Sequence, residues 1–163
     1  MKWIREYFIK KALGKPAKSS FKKNIPNYQD IQTVVLIAQH PDEIAQVKDL
    51  LLDGLGNQLA IHSYFYDEKS EDPRSFSFKD FSLFAKPEQK LREFLTLRPD
   101  LIIFTPEKEN FFSIYLLHLQ PQPYAIGFYS ERLKPYLDLM LDKEGNDIRS
   151  ATEQLIKYLK QIN

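Results

Sequence analysis

The chain has no cysteine, which removes at once a disulfide framework, a thiolate metal site and a thiol nucleophile. It has five glycines, and the phosphate-cradling and nucleophile-elbow patterns GxGxxG, GxxxxGK[ST] and GxSxG are all missing. Its three histidines, His40, His62 and His118, stand far apart without HExxH or any other ligand spacing, so neither a metal nor a cofactor is expected. No apolar run approaches the roughly 20 residues needed to cross a bilayer. The N-terminal segment carries charge through its middle, where a signal peptide would be uninterrupted. These absences describe a chain expected to be soluble and cytoplasmic.

What is present is an uneven distribution of charge. Residues 1–23 hold eight Lys/Arg and one acid, Glu6, for a local charge of +7 within a total of +1; the other 140 residues therefore carry a net −6. An acidic body with a basic arm is expected to touch something anionic through the arm. In Lys2–Leu13 the apolar residues Trp3, Ile4, Tyr7, Phe8, Ala12 and Leu13 recur at spacings of three and four, with Lys2, Arg5, Glu6, Lys10 and Lys11 between them. This predicts an amphipathic basic helix, ended by Gly14 and Pro16. Residues 15–28 read as a polar linker, so 1–28 form the appendage and 29–163 a single α/β domain; with 43% hydrophobic residues, 163 are enough for one substantial core.

The body alternates. Thr33-Val-Val-Leu-Ile-Ala38 is a β-branched, apolar run suited to a strand covered on both faces. Pro41, Asp42 and Glu43 open a helix with Ile44, Val47 and Leu51 on one stripe, and a second strand lies around 59–66. Pro87 opens the next helix, Asp100-Leu-Ile-Ile-Phe104 is a third strand, and Thr105-Pro106 starts a helix to about His118. Tyr124 to Phe128 and Leu137 to Leu141 are short strands, and 147–161 close the chain as a helix. Strands alternating with helices predict a three-layer α/β/α sandwich of about five mostly parallel strands, flavodoxin-like or Rossmann-like, in the order 2-1-3-4-5. Within the irregular stretch 67–86, Phe76, Phe78, Phe81 and Phe84 are expected chiefly in the core, with a partner surface as the alternative.

In an open α/β sheet ligands bind beyond the carboxyl ends of the strands, where Gln39, His40, Asp42, Thr105, Gly127 and Tyr129 form the candidate crevice, with Asp67, Glu107 and Asp142 at neighbouring tips. His40 with Asp42 has the composition of a base and its orienting carboxylate, but with no nucleophile motif nearby the pair reads rather as a loop or cap histidine beside a helix-starting acid. Pro41 removes a donor and Asp42 and Glu43 already occupy the helix N-terminus with negative charge, as do Glu107 and Glu109 after the third strand, so these turns read as self-capped rather than phosphate-binding. Asp142 and Glu144, near Asp138, read as solvated strand-end charges rather than a cation site.

The segments Asp100-Leu-Ile-Ile, 112–119, Tyr124-Ala-Ile-Gly-Phe128 and Leu137-Asp-Leu-Met-Leu-Asp142 resemble a family of small bacterial α/β proteins of unknown function. Its pattern is an F/P-D-I-L-I-D strand, an apolar helix, a K-x-x-G strand and a closing Y-D-L-M-I-D. The resemblance covers most of the body and the basic N-terminal helix, and implies a fold without an assigned activity. This chain departs from the pattern at Phe104, where the family strand tends to carry an acid, and at Gln39-His40, which replace an acidic small-residue tip. A fainter likeness, from Pro99-Asp100-Leu to Gly127, is to the N-terminal half of heptosyltransferase-like glycosyltransferases.

Two functions follow as expectations. The first is a non-catalytic binding or scaffold protein whose helix lies on the cytoplasmic face of a membrane or on a protein partner through Trp3, Ile4, Arg5, Tyr7, Phe8, Lys10 and Lys11, each cation contributing about 1 kcal/mol near anionic lipid. Docking of that helix on its own domain is the alternative fate of the same residues. A nucleic-acid partner is not expected, because the body is acidic and offers no matching basic groove. The second is an enzyme of glycosyltransferase-like or nucleotide-binding type that works in the crevice.

Overall fold

Every residue from Val34 to Ala38 is buried, with Val34, Leu36 and Ala38 in one apolar cluster and Val35 and Ile37 in another. A strand that alternates between two cores needs helices on both of its faces, and the computed structural model, which describes residues 1–14, 23–108, 110–142 and 147–162, shows them. Strands β1 (Thr33–Ala38), β2 (Ala60–Tyr66), β3 (Ser75–Phe76), β4 (Leu101–Phe104), β5 (Tyr124–Phe128) and β6 (Leu139–Leu141) form one parallel sheet ordered β3-β2-β1-β4-β5-β6. Helices α2 (Pro41–Leu55) and α5 (Ile148–Ile162) cover one face through Ile44, Val47, Leu51, Leu155 and Leu159. On the other, α3 (Lys90–Thr96) and α4 (Phe111–Leu119) contribute Leu91, Phe94, Phe112 and Leu116, and α1 (Lys2–Leu13) packs outside α4.

This is the expected α/β/α sandwich, with one strand more. Phe76, expected in the core, is there as part of the short edge strand β3, whose pairing extends the 2-1-3-4-5 order without altering it. Phe81 is fully buried and Phe78 partly, whereas Phe84 is 67% exposed.

Three boundaries differ from the periodicity. Residues 105–108, read as part of the first turn and a half of α4, are a loop pinned to the turn between β1 and α2: Gln39 Oε1 accepts from the Glu107 and Lys108 amides at 2.8 and 3.2 Å, and the helix starts only where Asn110 Oδ1 takes the Phe112 and Ser113 amides. Pro87 is held in an antiparallel bridge with Phe81, so α3 begins at Lys90. Leu137 packs ahead of β6 and does not belong to it. Pro16, most of the linker, Glu109 and Glu144 lie outside the described residues.

Two aspartates of the family-like pattern act as clasps between parallel strands. Asp100, just before β4, donates its amide to the Thr33 carbonyl at 2.8 Å, and its Oδ2 accepts from the Gln32 and Thr33 amides at 2.8 and 3.0 Å. Asp138, just before β6, repeats the arrangement on Ala125: its amide reaches the carbonyl at 2.7 Å, Oδ2 takes the amide at 2.8 Å, and Lys23 Nζ completes the pair at 3.3 Å. Each carboxylate satisfies strand-end donors that the ladder leaves over, and hydrogen bonds to a charged acceptor contribute about 1.5–3 kcal/mol. The residue type is set by register, so these acids hold the sheet rather than a reaction centre.

The apolar helix α4 carries one histidine. His118 stacks on Tyr115 (5.7 Å, 20°) beside Tyr136, and its Nδ1 is shut off from water without a partner among the described residues. Burial holds its pKa below the usual histidine value. The unfolded chain therefore takes up a proton near pH 6.5 that the folded chain refuses; stability is complete above that pH and is lost as pH falls toward the folded pKa. Thermal melts at pH 7.5 and 5.5 should show a drop that His118→Phe, which keeps the stacking, makes smaller. An equal drop in both proteins would remove His118 from the account.

Candidate functional site

The chain moves outward from β1 through β2 to β3, and outward on the other side from β4 through β5 to β6, so the carboxyl ends of β1 and β4 diverge and leave a crevice. A cavity of about 360 Å³ lies there, lined among others by Gln39, His40, Tyr66, Asp67, Lys108 and Ser113. Of the crevice residues expected from the sequence, Gln39 and His40 line it; Asp42, Thr105, Gly127 and Tyr129 do not.

The polar groups around the cavity are largely engaged by the fold. Gln39 spends its carbonyl on residues 107 and 108, and its amide meets the His40 ring at 3.3 Å; the hydrogen bond of His40 goes to Gln39 and not to Asp42. Asp42 sits exposed in the first turn of α2, where it complements the helix dipole. Thr105, 2% exposed, donates to Glu43 Oε2 at 2.6 Å and ties the β4 tip to α2. Asp67 Oδ1 accepts from the Lys69 and Ser70 amides and shapes its own turn.

Gly127 is buried in β5, where an added Cβ would lie 2.8 Å from both Leu137 Cδ1 and the Phe104 carbonyl oxygen. Tyr129 projects to solvent and donates to Glu131 Oε1, a contact that raises its own pKa and lowers that of Glu131. Among the described residues no three His, Asp or Glu side chains gather as a metal donor set.

Tyr66, which sequence reading passed over as a strand residue, reaches the crevice floor. Its hydroxyl is buried without a well-formed hydrogen bond among the described residues, and burial pushes its pKa above the usual tyrosine value, with Glu68, Glu6 and Asp80 adding to the effect and the Phe78 amide opposing it.

The second candidate surface is α1. The fully buried residue of this helix is Ile9, which lies off the expected apolar stripe, and it is joined against α4 and the 78–81 segment by Phe8, Ala12 and Leu13. Arg5 faces the body: its Nε donates to the Phe81 carbonyl at 2.8 Å and its guanidinium lies 5.6 Å over the Phe78 ring. Lys2 pairs with Glu68 at 3.2 Å, and Tyr136 Oη donates to the Leu13 carbonyl. Ile4 is half-buried.

The opposite side of the helix carries Trp3, 70% exposed, Tyr7, 57% exposed, and the exposed Lys11, with Lys10, also exposed, at its rim, where Nζ lies 4.7 Å from the centre of the Phe111 ring of α4. Trp3 and Tyr7 are one turn apart, and Phe8 meets the exposed Phe84 edge to face at 5.3 Å, with Leu83 also exposed beside it in sequence. Among the described residues no helix is long and apolar enough to cross a membrane.

A doubly wound, fully parallel α/β protein with a helix strapped across its α4 side is the class that these features define. The family of unknown function DUF6913 matches residues 5–162, and the chain belongs to that family. No curated protein and no solved structure matches it.

Proposed function

We propose that this protein is a non-catalytic docking module that sits peripherally on an anionic lipid surface at the cytoplasmic face of a membrane, with 29–163 as the body and 1–28 as the contact arm. The observation that carries the reading is the outer face of α1. Apolar residues run almost all the way round this helix, more than one protein partner covers, and the side left in solvent holds a tryptophan, a tyrosine and Lys11, with Lys10 at its rim and no acid among them. Indole and phenol rings suit the headgroup boundary because one end is apolar and the other hydrogen-bonds, and cations beside them are drawn to anionic lipid. Glu6, the one acid in residues 1–23, lies 4.0 Å from Lys2 and off this face. The crevice at the β1 and β4 tips supports catalysis less well, since Gln39, Thr105 and Asp67 are held in place by the bonds they make to the fold.

Co-sedimentation of the full chain with phosphatidylcholine vesicles, with and without phosphatidylglycerol, tests this. Binding is expected only to the anionic vesicles, weaker at higher ionic strength. Trp3→Ser with Tyr7→Ser should weaken it by about tenfold or more, and Lys11→Glu by about fivefold. Equal binding to both vesicle types, or none, overturns the reading; a concentration-dependent dimer that the same double substitution dissolves would assign the face to a second copy instead.

A further inference from the structure

Of the four phenylalanines between residues 67 and 86, Phe84 is left in solvent, together with its neighbour Leu83. The two stand in a turn closed by its own hydrogen bonds: the Ser82 amide donates to the Lys86 carbonyl at 2.8 Å, the Ala85 amide to the Ser82 carbonyl at 2.9 Å, and the Lys86 amide to Ser82 Oγ at 3.1 Å. Phe81 is bridged to Pro87 at the base of the turn, and Phe81 and Ala85 are both buried. Ala85 also holds a left-handed backbone, φ 65°, which is unfavourable for a residue with a Cβ and persists only where the surroundings enforce it. The turn is thus anchored on both sides of two apolar residues that the body does not cover.

It is also fastened to α1. Arg5 Nε donates to the Phe81 carbonyl at 2.8 Å, the Phe8 ring meets the Phe84 ring at 5.3 Å, and Tyr7 meets Phe8 edge to face at 5.2 Å. Tyr7, Phe8 and Phe84 form a chain of adjoining rings that joins the outer face of the helix to the turn. Residues 81–87 hold the exposed Lys86 and no acid; Glu88, which follows, is half-buried.

We infer that the 82–86 turn is a second lipid-contact element, which places the Leu83 and Phe84 side chains in the acyl boundary of an anionic bilayer while Lys86 stays among the headgroups. The inference rests on the docking reading of α1 and deepens it, because a second point of contact fastened to the helix fixes how the body is oriented on the surface. Leucine and phenylalanine gain by leaving water, and the lysine beside them favours an anionic surface over a neutral one. The exposed parts of Trp3, Tyr7, Leu83 and Phe84 together fall short of the roughly 800 Å² that each partner gives to a standard protein interface, whereas a fluid bilayer needs no matching shape.

Trp3 is the one tryptophan of the chain, so Trp3→Phe with Phe84→Trp moves the fluorescent reporter into the turn. With vesicles of phosphatidylglycerol and phosphatidylcholine brominated along its acyl chains, the emission of this variant should shift to the blue and be quenched, as should that of Trp3 in the parent chain. Leu83→Ser with Phe84→Ser should weaken co-sedimentation with the anionic vesicles by about tenfold or more at nearly unchanged melting temperature, since both side chains stand in solvent. Quenching of Trp3 with none at position 84, or vesicle binding indifferent to the double serine variant, overturns the inference and leaves the reading of α1 standing. Quenching at position 84 with none of Trp3 keeps the turn and overturns the outer face of α1 as the contact. No vesicle binding by the parent chain removes both, and a blue shift at position 84 that grows with protein concentration in the absence of lipid gives the turn to a second copy and overturns the lipid assignment.

Discussion

Ile9→Ala is expected to lower the unfolding free energy by about 2–5 kcal/mol, the range for removing a fully buried branched aliphatic side chain and leaving its cavity behind. Ile9 has no exposed surface, and it is the residue of α1 that enters the same cluster as Val35, Phe81, Phe112 and Leu116. The remaining contacts of the helix are edge contacts: Phe8, Ala12 and Leu13 are partly buried, and Arg5 reaches one backbone carbonyl. Deleting the Ile9 side chain therefore removes the centre of the interface while its rim remains.

Two readouts separate the possible responses. Urea unfolding reports the whole protein, and amide exchange across residues 2–13 reports whether the helix opens by itself. Faster exchange confined to α1 with a smaller global loss would mean that the docking free energy caps the effect; an unfolding free energy within about 0.5 kcal/mol of the parent, with unchanged exchange, would refute the packing described.

Gly127→Val is the second large effect. The added Cβ meets Leu137 Cδ1 and the Phe104 carbonyl oxygen, both at 2.8 Å. Leu137 can turn its side chain, but Phe104 is the register partner of Gly127 in the β4–β5 pairing, and its carbonyl cannot retreat without opening the sheet. Overpacking of this kind costs about 1–3 kcal/mol for one methyl group, and the branched valine is expected at or above the top of that range. Gly127→Ala should fall lower in it, and Leu137→Ala in the same chain should recover only part of the loss, since the carbonyl contact persists. Full recovery would show that the side chain alone sets the limit. The glycine of the family-like K-x-x-G strand thus follows from strand packing and makes no claim on a ligand.

Several features were legible in the sequence because each depends on neighbours within a few residues. The apolar run of β1 fixes a doubly covered strand, and Pro41 with Asp42 and Glu43 fixes the start of α2. Where prediction and structure part, a distant contact intervenes. Residues 105–110 could continue a helix on local grounds, but the Gln39 carbonyl captures two of their amides from across the crevice. The crevice set divides for the same reason: Gln39 and His40 follow the β1 tip into the cavity, whereas Gly127 stays inside β5 and Tyr129 is drawn to Glu131.

Composition and periodicity by themselves determined the α/β layering, five of the six strands, the basic N-terminal helix and the asymmetry of charge, because alternation at periods of 2 and 3.6 and the count of ionised groups survive without tertiary information. Tertiary structure alone decided which side of α1 meets the body. Apolar residues surround that helix so broadly that its periodicity names no single face, and the choice of Ile9 for the core, which leaves Trp3 and Tyr7 in solvent, was made by the shape of α4 and the 78–81 turn against which the helix lies.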